Sequence, residues 1–182
     1  MTSAISKWIL KTLGWKIVAA ESLLPIPKFI IIVAPHTSNW DFPLGLLVRK
    51  ASGLDLVKFL GKSSLFKWPF GWIFKSLGGF PVDRSKSNNM VQSYIEVFNR
   101  FDRFAIVLAP EGTRRKVDHF KTGFYFIAKG ANVPIIPCQF DWEHKEVRFL
   151  EAFIPTDHAE MDLEYLESLF KNVKGRHPEN GI

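Results

Sequence analysis

Cysteine is nearly absent: Cys138 stands alone among 182 residues. One thiol forms no intrachain disulfide and no cysteine-built metal site, and it fits a reducing compartment. Long apolar runs are missing as well. The longest clean stretch, Phe29 to Pro35, is strand-sized, far short of the ~20 residues a spanning helix needs. The N-terminus does not read as a cleavable leader, because Lys7, Lys11 and Lys16 interrupt what would be its apolar centre. No internal repeat, low-complexity tract or Pro/Gly-rich linker divides the chain, so one domain over residues 1–182 is expected. With 47% hydrophobic and 23% charged residues, the composition excludes disorder, collagen and coiled coil for the whole chain.

Acidic residues are scarce in the first half. Residues 1–86 carry 12 Lys and Arg against 4 Asp and Glu, whereas residues 87–182 carry 12 against 14. The same half is rich in Trp and Phe. A basic, aromatic half points to a polyanionic partner: nucleic acid, an anionic membrane surface or a phosphorylated substrate. The basic residues follow no nucleic-acid-binding motif, which argues against the first. Two stretches suit a membrane surface. Residues 1–20 hold an amphipathic helix, expected over 3–18, whose Ile5, Trp8, Ile9 and Leu13 share one face. That face either packs on the chain's own domain or lies in a lipid interface. Leu65 to Phe80 interleaves Phe66, Trp68, Phe70, Trp72 and Phe74 with Lys67 and Lys75.

Strand and helix signals alternate. Strands are expected at Phe29–Ala34, Asp55–Leu60, Phe80–Val82, Phe104–Ala109, Val133–Phe140 and Glu146–Phe153. Helices are expected at Asp41–Ser52, Leu65–Leu77, Asn88–Phe101, Gly123–Lys129 and Met161–Asn172, with a polar, frayed tail from Lys174. This order predicts an α/β sandwich: a central mixed, largely parallel sheet flanked by helices.

Four segments carry candidate chemistry. His36 follows the first strong strand, and Asp41 lies five residues on. Open α/β sheets bind ligands at the carboxyl ends of strands. There, Asp41 can hold Nδ1 of His36 and leave Nε2 to take a proton. Ser38 and Asp41 also fit a helix capping box, a purely structural role. Gly79 to Arg84 reads as a short strand ending in an Asp–Arg pair, or as Arg84 presented to a phosphate. Pro110-Glu-Gly-Thr-Arg114 reads as a tight turn, or as Gly112 and Thr113 amides with Arg114, Arg115 and Lys116 around an anion. Val133-Pro-Ile-Ile-Pro137 alone reads as an edge strand. Cys138 reads as core packing, and His119, His144, His158 and His177 make no metal-ligand pattern.

Taken in this order, the segments resemble the four blocks of the glycerolipid acyltransferase family, the lysophosphatidic acid acyltransferase group. His36 and Asp41 match its His-x4-Asp block, and Gly78 or Gly79 through Arg84 its glycine–arginine block. Pro110 to Arg114 match its Pro-Glu-Gly-Thr-Arg block, and Val133 to Pro137 its last. Phe120-Lys121 and Gly123 are similar too. The likeness spans about residues 29–137. Pro35, Ser64 and Arg115 depart from the family pattern on the acceptor side.

The resemblance implies a glycerol-3-phosphate acyltransferase-like fold and an O-acyltransferase of phospholipid biosynthesis. An acyl group would move from acyl-CoA or acyl-carrier protein to a hydroxyl of a lysophospholipid, foremost 1-acyl-glycerol-3-phosphate. Other acceptors, aminoacyl lyso-lipids among them, and thioester hydrolysis by the same His are the alternatives. The resemblance implies His36 as base and Asp41 as its orienting acid. Arg84, Glu111, Gly112, Thr113, Arg114 and Lys121 would form the acceptor site, with Glu111 orienting an arginine or the loop. No metal or cofactor is implied, and oxyanion donors are expected near Val133–Pro137. The expected place of action is the cytoplasmic face of an anionic membrane, with peripheral attachment.

Overall fold

The central strand shows why two helical layers are needed. The computed structural model describes residues 2–69, 71–82 and 90–181. In it, β2 (Lys28–Ala34) sends Phe29, Ile31 and Val33 into one core and Ile30, Ile32 and Ala34 into another. A strand apolar on both faces must be covered on both. One cover is α1 (Ser3–Thr12) with α2 (Asp41–Ala51), contributing Leu10, Leu44 and Val48. The other is α4 (Met90–Arg100), α5 (Gly123–Ala131) and α6 (Ala159–Ser168), contributing Phe98, Tyr125 and Leu166. A shorter helix, α3, covers Gly71–Ser76.

The remaining strands are β1 (Lys16–Val18), β3 (Val57–Lys62), β4 (Gly79–Val82), β5 (Phe104–Leu108), β6 (Ile135–Asp141) and β7 (Glu146–Phe149). They join β2 in one seven-stranded sheet of order β1-β7-β6-β2-β5-β3-β4. Every pairing is parallel except β6–β7. This is the mixed, largely parallel α/β sandwich expected. Parallel pairing aims the carboxyl ends of β2, β3, β4, β5 and β6 at one edge, where the site lies.

Four local expectations need correction. The helix expected over 3–18 ends at Thr12. Gly14 then turns the chain at φ +79°, a region glycine adopts freely, and Lys16 starts β1. The face that α1 buries carries Ser6 and Leu10, small or slim enough to approach α2, while Ile5, Trp8 and Leu13 are about half exposed or more. Its apolar stripe therefore points outward rather than into the domain.

The helix expected over Leu65–Leu77 is instead a 3-10 turn, Ser63–Phe66, followed by α3; Pro69, which has no N–H to continue a helix, lies between them. The supposed edge strand, β6, is interior, between β2 and β7. It tolerates Pro137 because the pairing register slips by one residue between Cys138↔Phe149 and Ile135↔Phe153.

The tail from Lys174 is not frayed. Lys174 accepts a hydrogen bond from the Trp142 N–H at 2.9 Å, and the His177 N–H donates to Thr37 Oγ1 at 3.1 Å. Gly175 is buried, so close to Thr37 that a Cβ there would lie 2.5 Å from Oγ1.

Candidate active site

The loop after β2 and the first turn of α2 build the centre of the site. Asp41 is buried, 3% exposed, and its Oδ2 accepts from His36 Nδ1 at 3.0 Å and from the Ser38 N–H at 2.9 Å. The His36 contact and the Ser38 N–H contact thus fall on one carboxylate oxygen, while the N-cap of α2 is Trp40 rather than the expected Ser38. With Asp41 accepting, Nδ1 carries the proton and Nε2 remains a base. The carboxylate also sits in the first turn of α2, where the helix dipole favours negative charge.

The neighbouring strand end supports this loop. β5 pairs with β2 in parallel register, Ile32 opposite Leu108, so Pro110–Arg114 emerges beside Pro35 and His36. Glu111 turns inward, 2% exposed, and its Oε2 accepts the His36 backbone N–H at 2.8 Å. It is a strut for the histidine loop, as the loop-orienting reading required. Burial raises its carboxyl to about 7, against the lowering influence of the His36 N–H and ring. Its other oxygen, Oε1, is buried without a hydrogen-bond partner among the described residues.

Gly112 holds φ +66°, and Lys121 lies so close that a Cβ on Gly112 would come within 2.8 Å of Nζ. The Lys121 N–H donates to Pro110 O at 2.9 Å, tying the two segments together. Thr113 Oγ1 accepts from the Arg115 N–H, and Arg114 shares the wall of a cavity with His36 and Asp41. Exposed Gly112, Arg114 and Lys121 therefore gather around a buried Glu111. β4 ends at Val82, and Arg84 lies outside the described residues.

Oxyanion donors are not found where expected. Along Val133–Pro137, the Val133 N–H donates to Ala128 O and the Ile135 N–H to Phe153 O. Pro134 and Pro137 have no N–H, and Ile136 is paired within the β2–β6 ladder. Hydrogen bonds of the sheet occupy this strand.

From His36, Asp41 and Arg114 an apolar cavity of about 260 Å³ runs between the sheet and α2 toward Leu54 and Val57. Val33, Phe42, Gly45 and Phe140 line its course. Cys138 also lines it, with its thiol pushed well up by burial. That supports the packing role expected for Cys138. Among the described residues, no group of three or more His, Cys, Asp or Glu is placed to hold a metal ion.

Sequence reasoning missed Trp142. Its indole Nε1–H donates to Asp41 Oδ1 at 2.8 Å across 101 residues of sequence. The one available signal was its place just after β6, a third strand whose carboxyl end reaches this edge.

A histidine paired with a buried carboxylate, both on the wall of an apolar cavity, is an arrangement that can serve proton abstraction next to an apolar chain. The comparisons narrow that class. The family model described as Acyltransferase matches residues 18–141, and the chain belongs to this family. It is 34% identical over 112 residues to a 1-acyl-sn-glycerol-3-phosphate acyltransferase of Streptococcus pneumoniae, covering 60% of this chain and 40% of the relative. The corresponding Escherichia coli protein is 34% identical over 113 residues, covering 59% and 44%. The chain thus spans less than half the length of these curated relatives. In fold it is similar to the crystal structure of the 1-acyl-sn-glycerophosphate acyltransferase PlsC of Thermotoga maritima. The TM-score is 0.61 at 24% identity, over 92% of this chain and 74% of that one.

Proposed function

We propose that this protein transfers a fatty acyl group from a thioester, acyl-CoA or acyl-carrier protein, to a hydroxyl of 1-acyl-glycerol-3-phosphate or a closely related lysophospholipid. The observation that carries this reading is the His36–Asp41 pair at the mouth of the apolar cavity. The names of the relatives favour the same acceptor.

A glycerol hydroxyl is a weak nucleophile near neutral pH. His36 Nε2 removes its proton as the oxygen attacks the thioester carbonyl, a role worth roughly 10²–10⁴ in rate. The carbonyl becomes a tetrahedral oxyanion, the C–S bond breaks as it collapses, and the His36 imidazolium returns its proton to the leaving thiolate. Asp41 holds the ring and balances the imidazolium. The acyl chain lies in the cavity along α2. Arg114 and Lys121 hold the acceptor phosphate, where a guanidinium suits bidentate contact, and the family block assigns Arg84 to the same role. Glu111, being buried, acts through the His36 loop rather than on the phosphate. The acceptor is lipid-borne, so docking on the cytoplasmic face of an anionic membrane belongs to the proposal. Exposed Trp8, Trp68 and Trp72, and Trp40 and Phe42 beside the site, suit that surface. Among the described residues no helix is long and apolar enough to cross a membrane.

The test is acyl transfer followed by mass spectrometry, with a panel of lyso-lipids in anionic vesicles and both donor types. Wild type is expected to acylate one acceptor, and His36→Ala to lose roughly 10²–10⁴ of that rate. Product undiminished in His36→Ala overturns the mechanism. Free fatty acid formed at equal rates with and without acceptor overturns transfer in favour of thioester hydrolysis.

A further inference from the structure

Asp41 can orient His36 only if its own carboxylate plane is held. Both contacts from the histidine loop, His36 Nδ1 and the Ser38 N–H, fall on Oδ2. Those contacts restrain one oxygen, and the carboxylate is held at both ends only if Oδ1 has a donor of its own. Oδ1 is secured from elsewhere, by the Trp142 indole at 2.8 Å.

Trp142 is itself clamped. Its edge meets Trp15 at 5.0 Å between ring centroids and 89° between planes. Its backbone N–H donates to Lys174 O at 2.9 Å. Above it lies the Arg176 guanidinium, 5.0 Å from the Trp142 ring centroid and 5.4 Å from that of Trp40. The next residue, His177, donates its N–H to Thr37 Oγ1, immediately after His36. Lys174–His177 thus forms a strap that touches the catalytic loop on one side and Trp142 on the other.

We infer that Trp142 is a positioning residue for the catalytic pair, and that the Lys174–His177 strap holds it in place through Arg176. The inference rests on the acyl-transfer reading for its kinetic consequence but not for its geometry. Trp142 locks the Asp41 carboxylate so that Nδ1 of His36 meets Oδ2 in line and Nε2 faces the acceptor. Arg176 also covers Trp40, so the strap keeps the indole and the loop in one register. Among the described residues, the charged groups around the pair include Glu111, behind His36, Arg114 and Arg49, on the cavity wall, and Arg176, over Trp142.

The experiment combines nuclear magnetic resonance with steady-state kinetics on the full chain. The protein has six Trp, hence six indole N–H signals, and Trp142→Phe identifies the relevant one by its loss. That signal is expected to shift in Asp41→Ala and in Arg176→Ala, and to stay near its wild-type position in Arg176→Lys, which keeps a cation over the rings. An indole signal unmoved by Asp41→Ala overturns the inference whether or not transfer is ever detected.

Trp142→Phe keeps the aromatic edge and deletes only the N–H. It should lower kcat roughly tenfold, the usual weight of a hydrogen bond to a charged group. KM for donor and acceptor should stay within about twofold, because Trp142 does not line the cavity. In an Asp41→Ala background the same substitution should change kcat no further, since paired functions are non-additive. Equal losses in both backgrounds would reduce Trp142 to a packing residue and overturn the inference. Should Trp142→Phe fold poorly, Arg176→Ala tests the same link from an exposed position, with a smaller kcat loss expected and recovery in Arg176→Lys.

Discussion

Glu111→Gln isolates the most unusual ionisable group of the site. Burial lifts the Glu111 carboxyl from its ordinary 4.5 to about 7. Between those values the folded protein keeps a proton that the unfolded chain has released. Stability must then fall as pH rises through that window and level off above about 7, because the unfolded state binds fewer protons. At roughly 1.4 kcal/mol per pH unit of displacement, the full loss is on the order of 3 kcal/mol. Gln keeps an oxygen to accept the His36 N–H but cannot ionise. The two proteins should therefore be nearly equal in stability near pH 4.5 and diverge toward pH 8, with Gln the more stable. For a chain of this length that divergence amounts to roughly 6–12 °C in Tm. Thermal and urea unfolding of both proteins at several pH values measures it. Taking the difference cancels every other titrating group. A gap that stays constant across pH, or one that widens toward acid, refutes the idea that a buried, titrating carboxyl supports the histidine loop.

Two more outcomes follow from the geometry. At Gly45 in α2, an added Cβ would meet Phe140 Cζ at 3.8 Å, an ordinary contact. Gly45→Ala should raise stability by about 0.5–1 kcal/mol through helix propensity and narrow the cavity, shifting donor preference toward shorter acyl chains; an unchanged chain-length profile would remove the acyl chain from this cavity. Trp8, 66% exposed, and Trp72, 70% exposed, should each weaken sedimentation with anionic vesicles when changed to Ala. Unaltered binding, or no binding even by wild type at low salt, would refute docking through these residues.

The frame and the His36–Asp41 pair were legible along the chain for a local reason. A six-residue apolar, largely β-branched run such as Phe29–Ala34 is a strand whatever surrounds it, and a histidine just past its end is carried to the ligand edge of a parallel sheet. The His36–Asp41 contact spans five residues, so its geometry depends almost wholly on one loop and one helix turn. The proline-broken segment after Leu65 and the early end of α1 at Thr12 were less legible, because a single Pro or Gly outweighed an otherwise helical pattern.

By itself, then, the sequence determined the α/β class, the family blocks and the pairing of His36 with Asp41, since each is written in residues close along the chain. Tertiary structure alone decided which face of α1 is covered, because burial there depends on how closely α2 approaches Ser6. It placed β6 inside the sheet despite a proline within it, by slipping the register at Pro137. It turned Glu111 inward, where loss of water raises its proton affinity. It also brought Trp142 and the Lys174–His177 strap onto a loop more than a hundred residues earlier. Such contacts have no sequence period. They exist only where parallel strands deliver their carboxyl ends to the same edge, and that meeting organises the carboxylate on which His36 depends.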